Sequence, residues 1–200
     1  SDRTFKKVIE RMLATQEQDG PKVMRTLGGE KKVDTIYKIE SGDRARGWGY
    51  LPEHKPQVAT GSMTTAGIAC LAISHDALVR PKRSHLYDVK LENRVKRGIQ
   101  DGFAWLDVNF TVTSNPPSGA PAWHYSYLDG HDRAAMLAGR QRMGEHAWCL
   151  DGARYRVGAQ KDDGRLATGT LGGAEYKASD ILDTAWAILF LKKATKPLKP

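Results

Sequence analysis

The sequence predicts an all-α protein with a single domain over residues 1–200, and three observations lead to this fold class. Six segments carry apolar residues at helical spacing, and together they cover about half of the chain. The first, third and fifth segments are amphipathic and charged, whereas the second, fourth and sixth are small or apolar throughout. Period-two alternation is limited to residues 32–40, where a short hairpin is expected. An outer and an inner layer of helices, built from helical hairpins, accounts for this alternation.

The sixth helix, predicted over residues 180–195, is the element around which the rest of the chain is organised. Its sequence, DILDTAWAILFLKKAT, has almost no polar residue between Asp183 and Lys192. The run is shorter than the roughly 20 apolar residues that cross a bilayer, and a helix that is apolar on all sides is usually buried. We therefore predict an inner helix in which Ile188 and Leu191 are fully buried.

The other five helices are predicted from the same periodicity and from the residues that end them. Glycine and proline end several segments, as Asp19-Gly20-Pro21 does after the first one. Gly67 lies inside the second helix, where glycine costs about 1 kcal/mol relative to alanine, so we expect a neighbouring group to pack closely against it. The predicted helices cover residues 4–18, 64–78, 91–109, 122–139 and 145–160.

The charge balance of the chain is basic, with 31 Lys and Arg residues against 23 Asp and Glu and a net charge of +8. Such an excess suits either an anionic partner or an ordinary basic surface. The charges are scattered and no run of five or six basic residues occurs. This distribution favours the ordinary basic surface and predicts no nucleic-acid partner.

The cysteines and the first residue are the features from which a cellular compartment could be inferred. Cys70 and Cys149 are the only cysteines, and each lies within an apolar run, which predicts buried free thiols rather than a disulfide. Neither a signal peptide nor a transmembrane run is recognisable. Because the first residue is Ser1 rather than Met, we expect an excised fragment or a processed form, and the sequence does not indicate a compartment.

An internal repeat occurs where the helices connect. Residues 16–20 and 160–164 share the pattern Gln-x-x-Asp-Gly, and Gly152-x-x-Tyr155 precedes the second copy. This pattern resembles the QW-type repeat of the squalene-hopene cyclase and prenyltransferase superfamily, and residues 123–128 and 184–191 resemble inner-helix segments of its squalene-cyclase-like branch. The resemblance implies an α/α toroid, here a part-barrel of about three helical hairpins. It also implies an apolar central cavity for an isoprenoid-like small molecule.

Three departures from this superfamily limit what the resemblance implies. Leu166 stands where the repeat would have tryptophan, no Asp-x-Asp-Asp acid motif occurs, and no Asp, Cys and His set matches the zinc site of the protein prenyltransferases. We therefore expect no metal and no cofactor. Three hairpins do not close a family toroid, so the chain is a part-barrel, a terminal piece of a longer chain or a unit that forms a homo-oligomer. The function is either that of a terpenoid cyclase or prenyltransferase relative, or that of a non-catalytic binding or scaffold module.

The candidate site residues concentrate in the fourth helix. His124, Tyr127 and His131 have the spacing of one helix face, with Tyr125 and Asp132 on the neighbouring face. Asp132 is the candidate acid, with His131 beside it as a second catalytic candidate. The alternative is a core helix whose tyrosines pack inside the protein. A metal site is not expected, because ligands seven residues apart on one helix chelate poorly and no metal-binding motif is present.

Further candidates lie outside the fourth helix. Asp183, the third catalytic candidate, opens the sixth helix, and the resemblance implies that the starts of inner helices line the central cavity. The alternative is an acid matched to the helix dipole. Aromatic rings that could stack on an apolar ligand, or else fill a core, are the second group of candidates. The predicted ligand-binding residues are His124, Tyr125, Tyr127, Trp186, Trp48 and Tyr50.

Overall fold

The computed structural model describes residues 1–24, 39–51, 58–80, 82–117, 123–140, 146–166 and 179–194, and it shows an all-α protein. All six predicted helices are present, and no end differs from its prediction by more than three residues. The β contacts among the described residues are three isolated antiparallel bridges. The hairpin predicted over residues 32–40 lies almost entirely outside the described residues. The helices are α1 (Asp2–Thr15), α2 (Gly61–Val79), α3 (Val89–Val108), α4 (His124–Leu137), α5 (Trp148–Ala159) and α6 (Ser179–Ala194).

Capping side chains explain where two of these helices begin. The Thr60 hydroxyl accepts a hydrogen bond from the Met63 amide at 3.3 Å, and the Asp88 carboxylate accepts one from the Leu91 amide at 2.7 Å. Each satisfies an amide that would otherwise lack a partner in the first turn. α1 ends at Gln16, where the backbone becomes extended and forms a bridge with Trp48.

Trp48 fills the space between α1, α2 and α3. Its indole Nε1 donates to the Met12 carbonyl at 2.8 Å, and its own amide donates to the Thr64 hydroxyl at 3.1 Å. A Cβ at Gly67 would overlap the Trp48 ring, and one at Gly102 would lie 2.9 Å from it. The prediction of close packing at Gly67 is therefore confirmed, and the indole is the group that needs the space.

The helices pack in a regular order. α2 packs against α1, α3 and α4, α4 also packs against α6, and α6 also packs against α5. α2 is long and apolar enough to cross a membrane by length and composition alone. A core helix of a soluble protein passes the same test, and the contacts of α2 on three sides are those of a core helix. The absence of a transmembrane segment remains a prediction.

The prediction that α6 is buried on all sides is wrong. Ile188 is 56% exposed, and Leu191 is only partly buried. The buried residues of α6 are Asp183, Ala187 and Phe190, whose spacing places them on one face. Among the described elements only α4 and α5 pack on this helix, so one face is covered and the others meet solvent. Apolar composition alone did not identify the buried face.

Both cysteines are free thiols, as predicted, but neither is fully buried. Cys70 and Cys149 are each partly exposed. Burial is still sufficient to raise the pKa of both thiols above its ordinary value, so both are protonated at neutral pH.

Candidate ligand-binding site

α4 is an unusual helix because its buried side chains are largely polar. His124, Tyr125, Tyr127 and His131 are all at most 1% exposed, and Asp132 is 4% exposed. The predicted cluster on this helix therefore lies inside the protein, in agreement with the alternative that its tyrosines pack in the core. Their functional interest comes from the aromatic and charged side chains that surround them.

His124 is held in one tautomer. Its Nε2 lies 2.7 Å from the Val112 carbonyl and donates to it, which leaves Nδ1 as the unprotonated nitrogen. Burial lowers the pKa of His124 to about 4, although the bond to Val112 opposes this shift. The ring is therefore neutral at pH 7, and it packs at 5.1 Å from the Tyr125 ring and 5.0 Å from the Tyr155 ring.

His131 is enclosed by aromatic rings. The rings of Phe110, Trp148 and Tyr127 lie 5.4, 5.5 and 5.8 Å from it. Neither of its ring nitrogens has a hydrogen-bond partner among the described residues. Burial lowers the pKa of His131 to about 3, and the charge of Arg140 adds to this effect. His131 is thus neutral at pH 7.

Arg156 of α5 is a further fully buried group that forms no hydrogen bond with the described residues. Its guanidinium lies 3.6 Å from the Phe190 ring centroid and 5.6 Å from that of Tyr125, and none of its nitrogens bonds to a described residue. Burial lowers the pKa of Arg156 to about 10, while nearby Tyr125, Asp129 and Asp132 oppose the shift. The side chain is therefore a buried cation between two aromatic rings, a contact that compensates part of its lost hydration.

The structure brings the predicted residues of α4 and α6 together. Asp183 is 3% exposed and close enough to Tyr125 to contribute to its raised pKa, which burial brings to about 12. Trp186 packs against the apolar cluster that contains Tyr125 and Leu166. Asp132 lies near Arg156 and Cys149, whose pKa values it raises. His124, Tyr125, Asp132, Asp183 and Trp186 thus belong to one region between α4, α5 and α6.

Trp48 and Tyr50 do not belong to this region. Trp48 is a core residue between α1, α2 and α3, in agreement with the alternative that it fills a core. Tyr50 is 76% exposed and therefore fills neither a core nor the α4 cluster. The structure therefore does not bring these two residues to the other ligand-binding candidates, because residue type does not indicate which cluster an aromatic ring joins. Their role in ligand binding stays a prediction.

An open cleft of about 640 Å³ borders the α4 cluster, and we call it the aromatic cleft. The rings of Phe110 and His146 lie 4.6 Å apart in its wall, and Tyr155 contributes a third ring. Behind this wall lie His131, which contacts Phe110, and His124, which contacts Tyr155. The full lining is Phe110, Thr111, Val112, His146, Asp151, Arg154 and Tyr155.

The sequence-based candidates include none of the residues that line the aromatic cleft. Tyr155 did carry a signal, since it is the aromatic residue of the Gly152-x-x-Tyr155 motif. Phe110 carried a related signal, since it follows Gly102-x-x-Trp105 at the position where the Gly152-x-x-Tyr155 copy has Gln160. In the described ranges no group of three His, Cys, Asp or Glu side chains is placed to hold a metal ion.

Comparisons with protein families, with curated proteins and with solved structures found no match to this chain. The resemblance to the squalene-hopene cyclase and prenyltransferase superfamily therefore remains a prediction from the sequence.

Proposed function

We propose that this chain is a non-catalytic binding module that holds an isoprenoid-like molecule with an anionic end in the aromatic cleft. The observation that carries this proposal is the wall of rings formed by Phe110, His146 and Tyr155, backed by the two neutral histidines of α4. The aromatic cleft has a volume of about 640 Å³, which lies within the range of volumes found for small-molecule sites.

The chemistry of the lining fits such a ligand. Aromatic faces attract alkene and methyl groups by dispersion and do not require a charged partner. Arg154 is exposed in the lining, so its guanidinium is free to orient toward a phosphate or a carboxylate from solvent. Together they favour a ligand whose apolar chain lies on the rings and whose anionic end meets Arg154.

The positions of the acids favour binding over turnover. A site that protonates an alkene needs an acid that keeps its proton near neutral pH, and enzymes achieve this by enclosing the carboxyl group. Asp151, the carboxyl in the lining of the aromatic cleft, is only half-buried in an open site. Asp132 is enclosed but does not line this cleft.

The proposed architecture is an α/α-toroid-like part-barrel with α2, α4 and α6 as the inner layer. Its support is the packing order, in which α2 contacts α4 and α4 contacts α6, while α1 and α3 pack on α2 and α5 packs on α6. The two Gln-x-x-Asp-Gly copies add support, because Gln16 and Gln160 both end their helices in extended conformation, with ψ of 146° and 133°.

Isothermal titration calorimetry tests the binding proposal, with farnesyl diphosphate, farnesol and inorganic diphosphate as probes. We expect farnesyl diphosphate to bind and Tyr155→Ala to weaken its binding at least about tenfold. Tyr50→Ala, at an exposed aromatic residue that does not line the cleft, should leave the affinity unchanged. Arg154→Gln should weaken the binding of farnesyl diphosphate but not that of farnesol, because only the diphosphate contacts the guanidinium.

Two outcomes would contradict the proposal. If farnesyl diphosphate does not bind, or binds Tyr155→Ala as tightly as the parent, the aromatic cleft is not the site. If the protein converts farnesyl diphosphate to a new product, detected by gas chromatography, the module is an enzyme and the cyclase or prenyltransferase interpretation replaces the binding one.

A further inference from the structure

We propose that a second surface of this protein, between α1 and α3, binds an acidic peptide segment of a partner protein. The surface is an open groove of about 820 Å³, which we call the α1–α3 groove. It is lined by Arg46 and by the first turns of α3, and Leu13 of α1 forms its other side. None of its lining residues belongs to the aromatic cleft, so this inference does not depend on the proposed function.

The cations of the groove form a stripe on α3. Lys90, Arg94 and Arg97 are spaced by four and three residues, which places them on one helix face, and all three are exposed. Asn93 lies in the same stripe. Although basic residues are scattered along the sequence, the fold therefore gathers several of them in one concave surface.

Only part of this positive charge is neutralised inside the protein. Arg97 pairs with Asp43 at 2.7 Å, and Arg46 pairs with the buried carboxylate of Asp101. Lys90 and Arg94 form no ion pair with any described residue. Among the described residues, the unneutralised charge of the groove is therefore two cations one helical turn apart in the first turns of α3.

The remaining lining selects among anions. Val89 is 66% exposed beside Lys90, and Leu13 is partly exposed across the groove, so an apolar side chain can pack there while a carboxylate reaches the two cations. A continuous polyanion fits less well, because two nearby carboxylates would repel it. Asp43 pairs with Arg97 of the stripe, and Asp19, whose side chain is 93% exposed, follows groove residue Gln18. Alternating acidic and apolar groups, as in an acidic peptide, match this surface.

Fluorescence anisotropy tests the proposal with a fluorescein-labelled acetyl-LEELEE peptide and its neutral counterpart LQQLQQ. We expect LEELEE to bind, LQQLQQ not to bind, and the affinity for LEELEE to fall between 50 and 200 mM salt. The double variant Lys90→Gln/Arg94→Gln should bind LEELEE at least tenfold more weakly than the parent. The control Lys7→Gln/Lys161→Gln carries the same change in net charge at two exposed positions outside the groove and should stay within twofold of the parent.

Three outcomes would overturn the proposal. The first is that LEELEE does not bind to the folded parent, and the second is that both double variants lose affinity equally, because net charge alone would then explain the binding. The third is that a labelled U12 RNA binds more tightly than LEELEE and also depends on Lys90 and Arg94, which would identify a nucleic-acid surface. Circular dichroism on each variant establishes that the loss of affinity comes from a folded protein.

Discussion

Helices α1–α3 and helices α4–α6 differ in how completely their buried polar groups are hydrogen-bonded. In the first region, the Trp48 indole donates to Met12, and the Gln16 amide donates to the Gly98 carbonyl at 2.9 Å and to the Arg46 carbonyl at 3.0 Å. In the second region, His131, Arg156 and the Trp148 indole nitrogen are buried without a hydrogen-bond partner among the described residues. A buried polar group without a partner costs about 1–3 kcal/mol, and more when it is charged.

The two regions also differ in their apolar surface. α2 buries Ile68, Leu71 and Leu78 completely, whereas α6 leaves Ile181 72% and Ile188 56% exposed. Local rules of folding are usually broken where a protein has a function to perform. From this comparison we expect α1–α3 to supply most of the stability of this chain, and it agrees with the proposal that the α4–α6 region binds a ligand.

Removal of Trp48 should have the largest effect on stability. Trp48→Ala leaves a cavity between three helices and takes away one of the donors to the Met12 carbonyl, so we expect a loss of about 3–5 kcal/mol in the free energy of unfolding. Tyr50→Ala, at the exposed aromatic two residues away, should stay within about 0.5 kcal/mol of the parent. Urea unfolding followed by circular dichroism measures both. Equal losses in the two variants would contradict the assignment of Trp48 to the core.

A pair of arginine variants tests the difference between the regions directly. Arg46→Met removes the partner of the buried Asp101, and we expect a cost of about 3 kcal/mol, moderated by Arg97, which stays 3.6 Å from the same carboxylate. Arg156→Met replaces a guanidinium that forms no hydrogen bond with the described part of the chain by an apolar side chain of similar length, so stability should be unchanged or higher. The same urea experiment measures both. A loss of 3 kcal/mol in Arg156→Met would show that the buried cation is a satisfied part of the core.

The two buried histidines predict a loss of stability in acid. Their pKa values, about 4 for His124 and about 3 for His131, lie below the ordinary value of about 6.5, so the unfolded chain binds more protons than the folded one below pH 6.5. The stability they contribute is present above pH 6.5 and falls by about 1.4 kcal/mol per pH unit for each histidine toward pH 4.

A matched pair of histidine variants isolates this effect. His131→Gln should remove part of the slope between pH 6.5 and 4, whereas His85→Gln, at an exposed position, should leave it unchanged. Urea unfolding at half-unit pH intervals measures the slope. An identical slope in the parent and in His131→Gln would mean that His131 is accessible to protons in the folded protein.

The smallest effect is expected on the exposed side of α6. Ile188→Ser should change the free energy of unfolding by no more than about 0.5 kcal/mol, because the side chain is already 56% exposed. Phe190→Ala, on the covered face of the same helix, should cost about 3–5 kcal/mol. If Ile188→Ser is as destabilising as Phe190→Ala, another part of the chain covers Ile188 in solution and the two regions are more alike than described.

The sequence predicted the local structure of this chain well, for reasons that are themselves local. Apolar periodicity and helix-ending residues placed all six helices, and an interior glycine predicted the close approach that Trp48 makes to Gly67. Burial on α6 was predicted incorrectly because it depends on which helices arrive beside it. Periodicity carries no information on that point when every face of a helix is apolar.

The sequence predicted side chains that lie beside the candidate site but none of those that line it. The residues of α4 and α6 meet because those helices pack on each other, which the alternation of helix character anticipated. The aromatic cleft was missed because Phe110 comes from the end of α3 and His146 from the segment before α5. Such residues are far apart in sequence, and only the tertiary fold brings their rings to 4.6 Å.

Amide hydrogen exchange with and without farnesyl diphosphate tests the central claim most directly, because it reports both regions in one experiment. Without ligand, amides of α2 and α3 should exchange more slowly than those of α5 and α6. With ligand, added protection should appear at residues 110–112 and in α5, and α1 and α2 should be unaffected. Equal exchange in the two regions, together with protection confined to α1–α3 or with none at all, would contradict the assignment of ligand binding to the α4–α6 region.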